Sequence, residues 1–429
     1  MNPTNLPHLR SWVPYGPECD FPIQNLPYGV FSRLGEHARV GVAIGDYVLD
    51  LSVLYDEGLL SSRHVPLNVF ALPRLNEFMD CGLLAWRETR SRVSEILQED
   101  NPILRDDTML RLRALLPLHE IRLHVPVSIC DYVDFYSCEQ HATNVGRMFR
   151  PENPLLPNWK YMPIGYNGRV SSIVVSGTSI RRPKGQIKTG DAPPKYTATK
   201  KLDFETEVGF FTGKRSELGK PISIEEAEEY IFGLVLVNDW SARDIQQWEY
   251  QPLGPFLSKS FATSISPWVV SWEALEPWRV QGPKQEPKPL PYLRSKGKWG
   301  LDLQLEIALK TAKAASPKTI SKVNFKKMYW NMAQQLAHQA SNGTNIQVGD
   351  LYASGTVSGD FCDGSSPPPA TLGCLLELTW GGKFPIRLET GESRTFLEDG
   401  DTVIIRGYCL GDGYRIGFGE VSGTILPAL

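Results

Sequence analysis

Leu202-Asp203-Phe204-Glu205-Thr206-Glu207-Val208, followed by Ile231-Phe232-Gly233-Leu234-Val235-Leu236-Val237-Asn238 and then Asp239-Trp240, is the stretch that decides how this chain folds and where its chemistry lies. Side chains alternate across a strand, so Glu205 and Glu207 share one face while Thr206 and Val208 take the other. The apolar run 231–237 has the length of a buried strand, and Asp239 follows at its end, where functional groups are commonly assembled. Three carboxylates therefore converge from two strands. Burying them together is costly unless a cation neutralises them, and an oxygen-only donor set without His or Cys suits Mg²⁺ or Ca²⁺ better than Zn²⁺. Taken alone, a Glu-x-Glu pair is the ordinary mark of a solvated acidic strand, so the neighbouring residues decide.

Outward from this stretch, the chain reads as mainly β with some α. Residues 38–51 form two β-prone runs around Gly45-Asp46, a favourable hairpin turn. Helix formers follow over 67–98 and 106–116, with apolar spacing at Leu83, Trp86, Val93, Ile96 and Leu97, before a strand-like run at 121–127. A boundary near 120–126 divides the chain into domains 1–125 and 126–429, as expected for 429 residues. Beyond it come short apolar runs punctuated by Gly and Pro, at 171–176, 208–211, 303–309, 375–380, 402–406 and 414–421. These predict a large mixed β architecture. Ser223 and Glu226 have capping-box spacing and predict a helix to about Tyr230, and 323–339 predicts a second. Residues 276–298 and 365–369 are Pro-rich surface loops.

The formal net charge of −3 gives no electrostatic case for nucleic acid or an anionic membrane. No apolar run is long enough to span a bilayer, and residues 1–7 lack the pattern of a secretory or mitochondrial leader, so a cytosolic address is expected. The 7 cysteines are scattered without a C-x-x-C pair, which argues against a disulfide framework or a zinc site.

Other residues suit the same chemistry. Asp134 and His141 stand seven residues apart just after the boundary, and His141 becomes a general base if a carboxylate fixes its tautomer. Arg243, Gln246 and Tyr250, spaced i, i+3, i+7 on a helix leaving Asp239, present a cation, an amide and a phenol to an oxygen-rich anion. Their plain alternative is a polar surface face. Lys259, among small and apolar neighbours, fits a partly buried ammonium held charged by nearby carboxylates, or a snorkelling surface lysine. The Gly-rich segments 163–169 and 353–359 match no phosphate-loop spacing.

The runs 134–150 (D-F-Y-x-x-x-Q-H-A-T-N-V-G-x-M-F-R), 156–159 (L-P-N-W), 171–178 (S-S-I-V-V-S-G-T), 238–250 (N-D-W-S-A-R-D-I-Q-Q-W-E-Y) and 411–419 (G-D-G-Y-R-I-G-F-G) resemble the fumarylacetoacetase family. The resemblance runs from about residue 10 to the final Leu-Pro-Ala-Leu. It implies a small SH3-like amino-terminal domain, a large β-roll-like catalytic domain, and a homodimer. It makes Asp134, Glu205, Glu207 and Asp239 the carboxylates of a divalent metal, Mg²⁺ or Ca²⁺. His141 is then the catalytic base and Glu377 the carboxylate that orients it. Tyr136, Arg150, Tyr166, Gln246, Tyr250 and Thr356 match substrate-binding positions, and Arg243, Gln246 and Lys259 face the carbanion-like leaving group. Asp239, Lys259 through its backbone, and Thr263 match a second cation site.

The implied reaction is metal-dependent hydrolysis of a carbon–carbon bond in the diketo acid 4-fumarylacetoacetate, the last step of tyrosine and phenylalanine degradation. The chain departs from the family pattern at Ala262, where glycine is expected, at Asn167, where histidine is expected, and in a longer loop over 361–373. A related enzyme acting on acylpyruvates or other diketo acids would use the same metal set. A non-catalytic metal-stabilised binding protein would need the carboxylates but neither base nor leaving-group lysine.

Overall fold

The computed structural model describes residues 2–361, 366–389 and 391–429; part of the longer loop expected at 361–373, residues 362–365, lies outside them. Strands predominate over helices. Near the amino terminus, Leu115–Pro117, Tyr47–Asp50, Arg39–Ile44, Tyr28–Ser32 and Arg122–Leu123 pair in that order into an antiparallel sheet. The expected hairpin is present, with Ile44 opposite Tyr47 across a turn whose Gly45 has φ +58°. The helical run over 67–98 is divided, with Asn76–Asp80 and Leu83–Leu97 separated by Gly82 at φ +84°. Only Arg122–Leu123 of the run 121–127 pairs as strand.

The central sheet carries the site. Its order is Gly165–Asn167, Tyr132–Phe135, Leu351–Ala353, Thr206–Thr212, Ile231–Asp239, Thr263–Ile265 and Ile173–Val175, with Val270–Ser271 pairing the first half of Ile231–Asp239. Every residue of Ile231–Asp239 is buried because both faces are covered. Leu234 and Leu236 join the core of the larger, carboxyl-terminal part, together with Val208 and Phe210. Val235 and Val237 point the other way, with Phe211, into a core shared with Val30, Val42, Trp86 and Ile96. A strand covered on both faces reads as a continuous apolar run, which is why alternation is absent there. A second sheet, ordered Lys318–Asn324, Gln304–Lys310, Thr402–Leu410, Arg415–Leu426 and Ile180–Arg181, packs against the first.

Three expectations are corrected. The run 375–380 is not a strand: Leu375–Leu378 is a single helical turn whose first N–H groups are accepted by the Asp203 carboxylate. The run 323–339 is not one helix. Val323 and Asn324 complete a strand paired with Leu305 and Gln304, and the helix Met332–Ala340 begins later behind an Asn331–Gln334 capping box. After Ser223, Glu226 does bond back to the Ser223 N–H, but the chain forms only a short 3-10 turn, Ala227–Tyr230, because Ile231 is drawn into the central sheet. Among the described residues, no helix is long and apolar enough to cross a membrane.

Gly349 and Asp350 set the start of Leu351–Ala353, which joins the strand bearing Asp134 to the strand bearing Glu207. Gly349 has φ +97°, and a Cβ there would lie 2.8 Å from Val127 Cγ1 and 2.9 Å from the Ser128 carbonyl oxygen. Gly349→Ala is therefore expected to destabilise the protein by about 2 kcal/mol, measurable by denaturant unfolding. The buried Asp350 carboxylate accepts the N–H groups of Asp131 and Gln347, yet burial pushes it up to about 7. Folding raises its pKa, so its contribution to stability is full below about pH 4 and is lost as pH rises through about 7. Asp350→Asn should flatten the fall in stability across that window; an unchanged slope would assign it to other groups.

Candidate active site: a buried carboxylate centre beside a histidine–glutamate pair

Strand register explains why the carboxylates meet. Residues directly opposite one another on paired strands share a face. Tyr166 lies opposite Asp134, Asp134 opposite Ala353, and Ala353 opposite Gly209, two residues along from Glu207. Glu207 lies opposite Val237, two residues before Asp239, and Asp239 opposite Thr263. All these positions occupy one face, the face whose upper part carries Phe211, Val235 and Val237, and Glu205 extends the same alternation. One carboxylate oxygen from each of Asp134, Glu205, Glu207 and Asp239 lies within 4.8 Å of the others, and all four residues are buried.

Two cations enter this cluster. Lys259 Nζ lies 2.6 Å from Glu205 Oε2 and 2.6 Å from Asp239 Oδ2. Arg243 reaches Glu205 Oε1 at 2.5 Å and divides its charge with Asp203 at 2.9 Å. Tyr166 Oη and Thr263 Oγ1 donate to the two oxygens of Asp239, each at 3.1 Å. Burial acts to raise the Glu205 pKa, but Lys259 and Arg243 outweigh it and hold the carboxyl below its ordinary range. Burial lowers the Lys259 pKa, but Asp239 and Glu205 raise it further, so the ammonium stays charged.

Asp134 and Glu207 lack such partners. Burial, with repulsion from Asp239 and Glu205, pushes Asp134 well above the carboxylate range; burial, with repulsion from Asp134, Asp239 and Glu205, does the same to Glu207. Asp134 Oδ1 and Glu207 Oε1 are buried and accept no hydrogen bond. Four carboxylates face two shared cations, so at least two negative charges remain uncompensated when all are ionised. Unpartnered oxygens carrying an excess of at least two charges, with no histidine or cysteine among the four residues, suit a hard divalent cation.

The second group is a histidine held by a glutamate. His141 Nδ1 lies 2.7 Å from Glu377 Oε2, with both side chains buried. Asn144 Nδ2 donates to Glu377 Oε1 at 2.8 Å, and Ser358 Oγ donates to Oε2 at 2.6 Å. Burial raises the Glu377 pKa, but His141, Ser358 and Asn144 together hold it below the usual value. An ionised Glu377 only accepts, so Nδ1 is the donor of this bond and Nε2 is the ring nitrogen that Glu377 leaves unengaged. Cys374 also lies near, donating to Glu377 Oε2 at 3.2 Å, and burial pushes its thiol well above its ordinary range. Glu377 is thus saturated by donors, which leaves this second cluster poorly suited to a cation.

Tyr136 stacks edge-on against His141 with ring centroids 5.3 Å apart. Gln246 accepts from Arg243 Nη1 at 3.2 Å, and the unused Arg243 Nη2 is buried without a partner. Thr356 Oγ1 and Arg150 Nε are likewise buried and unpartnered, while the neighbouring Gly355 N–H donates to Glu207 Oε2 at 3.0 Å. Tyr250 is exposed at the end of the helix Arg243–Glu249, and its phenol accepts from Gln251 Nε2 at 3.3 Å. Lys259 meets Glu205 and Asp239 with its side chain, whereas the expectation for the second cation site invoked its backbone.

Sequence reasoning overlooked four residues. Asp203, fully buried, accepts from Arg243 and from the N–H groups of Phe204, Leu375 and Leu376, tying the cation side of the site to the turn that bears Glu377. Its alternation with Glu205 and Glu207 was the available signal. Glu249 accepts the N–H groups of Phe256, Leu257 and Ser258 and so shapes the loop leading to Lys259. Asn144 and Ser358 gave no signal, because their partner is more than two hundred residues away for one and bent back on a turn for the other.

The chain is similar to known proteins over almost its whole length. Residues 131–426 match the family described as fumarylacetoacetate (FAA) hydrolase, C-terminal, and residues 24–126 match fumarylacetoacetase, N-terminal. Fumarylacetoacetase of Homo sapiens is 54% identical over 424 residues, covering 98% of this chain and 99% of that protein. Fumarylacetoacetase of Arabidopsis thaliana is 49% identical, again over 98% of this chain and 99% of that protein. Among solved structures, the fumarylacetoacetate hydrolase from psychrophilic Exiguobacterium antarcticum shares the fold with a TM-score of 0.51 at 17% identity, over 94% of this chain and 99% of that one.

A divalent cation should raise the unfolding temperature, by the equivalent of about 2.7 kcal/mol at a hundredfold excess over its dissociation constant. Glu207→Gln should abolish most of that gain in calorimetry with and without EDTA. An undiminished gain would remove Glu207 from the donor set.

Proposed function

The chain belongs to the fumarylacetoacetate hydrolase family, and from this we propose that it hydrolyses the carbon–carbon bond of 4-fumarylacetoacetate, giving fumarate and acetoacetate as in tyrosine degradation. The observation that carries the reading is the pairing of a buried His141–Glu377 dyad with four buried carboxylates, two of which hold unpartnered oxygens. Asp134, Glu205, Glu207 and Asp239 would hold a divalent cation, Mg²⁺ or Ca²⁺, which when bound supplies Lewis-acid polarisation to the substrate's dicarbonyl oxygens.

His141 Nε2 takes a proton from water, and the resulting hydroxide adds to the fumaroyl carbonyl carbon. Glu377 keeps the ring proton on Nδ1 and stabilises the imidazolium. Collapse of the tetrahedral alkoxide breaks the bond to the adjacent methylene carbon. Its electron pair leaves as the acetoacetate enolate, and a proton returned to that carbon completes the addition of one water. Lys259 and Arg243 stabilise negative charge on the leaving group, because fixed cations in a dry site need no reorganisation. Gln246 fixes Arg243. Tyr136, Arg150, Tyr166, Tyr250 and Thr356 bind the substrate, with the unpartnered Arg150 Nε and Thr356 Oγ1 as free donors. Thr263, with Asp239 and the Lys259 backbone, would hold a second cation.

The same reading takes 1–125 as a separate amino-terminal domain and 126–429 as the catalytic domain, a homodimer in the cytoplasm, and neither nucleic acid nor membrane as a partner. His141→Ala should lower turnover by at least a thousandfold while divalent-cation affinity by isothermal titration stays within about twofold. Full activity in that variant would sink the base assignment. Faster turnover of an acylpyruvate than of fumarylacetoacetate by the unaltered protein would overturn the substrate assignment alone.

A further inference from the structure

Residues 355–358 touch both halves of the site within four positions. Gly355 N–H donates to Glu207 Oε2 at 3.0 Å, Val357 N–H donates to the Thr206 carbonyl at 2.8 Å, and Ser358 Oγ donates to Glu377 Oε2 at 2.6 Å. The Ser358 hydroxyl is itself fixed, since it accepts the Gly373 N–H at 2.8 Å and so has its proton directed at the carboxylate. Gly373 returns to the same strand, its carbonyl accepting the Thr206 N–H at 3.0 Å. Ser358 is 1% exposed, so water cannot substitute for it. We propose that Ser358 is a positioning residue for His141: acting through Glu377, it locks the base at a set distance from the carboxylate centre. Without it, Glu377 Oε2 keeps His141 and the weak Cys374 thiol, and Asn144 holds only the other oxygen. Rotation of Glu377 would then carry the imidazole with it. The inference rests on the reading of His141 as the base.

The test is steady-state kinetics on Ser358→Ala, Ser358→Thr, Glu377→Gln and the Ser358→Ala/Glu377→Gln double variant, in the full-length, cation-loaded protein. A hydrogen bond to a charged group acting in the transition state corresponds to a fall of roughly ten- to a hundredfold in kcat for Ser358→Ala. KM and cation affinity should stay within about twofold, and Ser358→Thr should recover most of the loss. In the Glu377→Gln background, Ser358→Ala should cost little more, because its effect passes through that carboxylate. Should Ser358→Ala fail to fold, Ser358→Cys, with its weak S–H donor, must show the same fall. Unchanged kcat in the folded variant, or an equal fall on the Glu377→Gln background, would overturn the role. His141→Ala separates the two readings. If it is inactive while Ser358→Ala is not, only the Ser358 role fails; if it is active, the base reading itself fails.

Discussion

Mutual repulsion among four buried carboxylates is the constraint on which this structure turns. Charges of one sign at this spacing, away from water, cannot all remain ionised unless something of opposite charge is brought between them. The fold answers in part with Lys259 and Arg243, which are aligned on Glu205 and Asp239 and leave Asp134 and Glu207 exposed to one another. That asymmetry is informative. An arrangement serving stability alone would pair every carboxylate or replace them all with apolar residues, whereas this one leaves two oxygens unpartnered in the interior. The cost of a half-neutralised centre is what the proposed cation would relieve.

Holding that centre is the work of the central sheet. Its long strands are buried on both faces, so one-residue slips in register would move Glu207 and Asp239 from one core to the other. The amino-terminal part covers the face from which the carboxylates project, and the carboxyl-terminal core covers the reverse. The histidine–glutamate pair is carried differently. His141 sits on the helix Glu139–Phe149 and Glu377 on a single helical turn, neither of which belongs to the sheet. Their position relative to the carboxylates depends on a few hydrogen bonds, notably those of Asp203 and of residues 355–358.

This division explains what could be read from the chain. Glu205, Glu207 and Asp239 were legible because alternation along a strand and the end of an apolar run are local patterns, and the hairpin at Gly45 was legible for the same reason. Asp134 entered the metal set only through family resemblance, since its placement depends on parallel pairing with residues 351–353, far along the chain. The apolar run 375–380 misled because its composition suits a buried strand, while Asp203, some 170 residues earlier, caps it as a helical turn. The run 323–339 misled because pairing with Gln304–Lys310 overrides helix propensity at its start. Glu377 lies on a turn that alternation could not describe, and its holders, Asn144 and Ser358, lie far from it in sequence or across a fold-back.

The most direct measurement is the decay of the 1,3-diketone ultraviolet absorbance of fumarylacetoacetate with purified protein, before and after EDTA and again after Mg²⁺ or Ca²⁺ is restored. Decay that yields fumarate and acetoacetate, stops with EDTA and returns with the cation is the predicted result. Decay that persists undiminished after the cation has been stripped would contradict the central claim, because the carboxylate centre would then have no part in the chemistry.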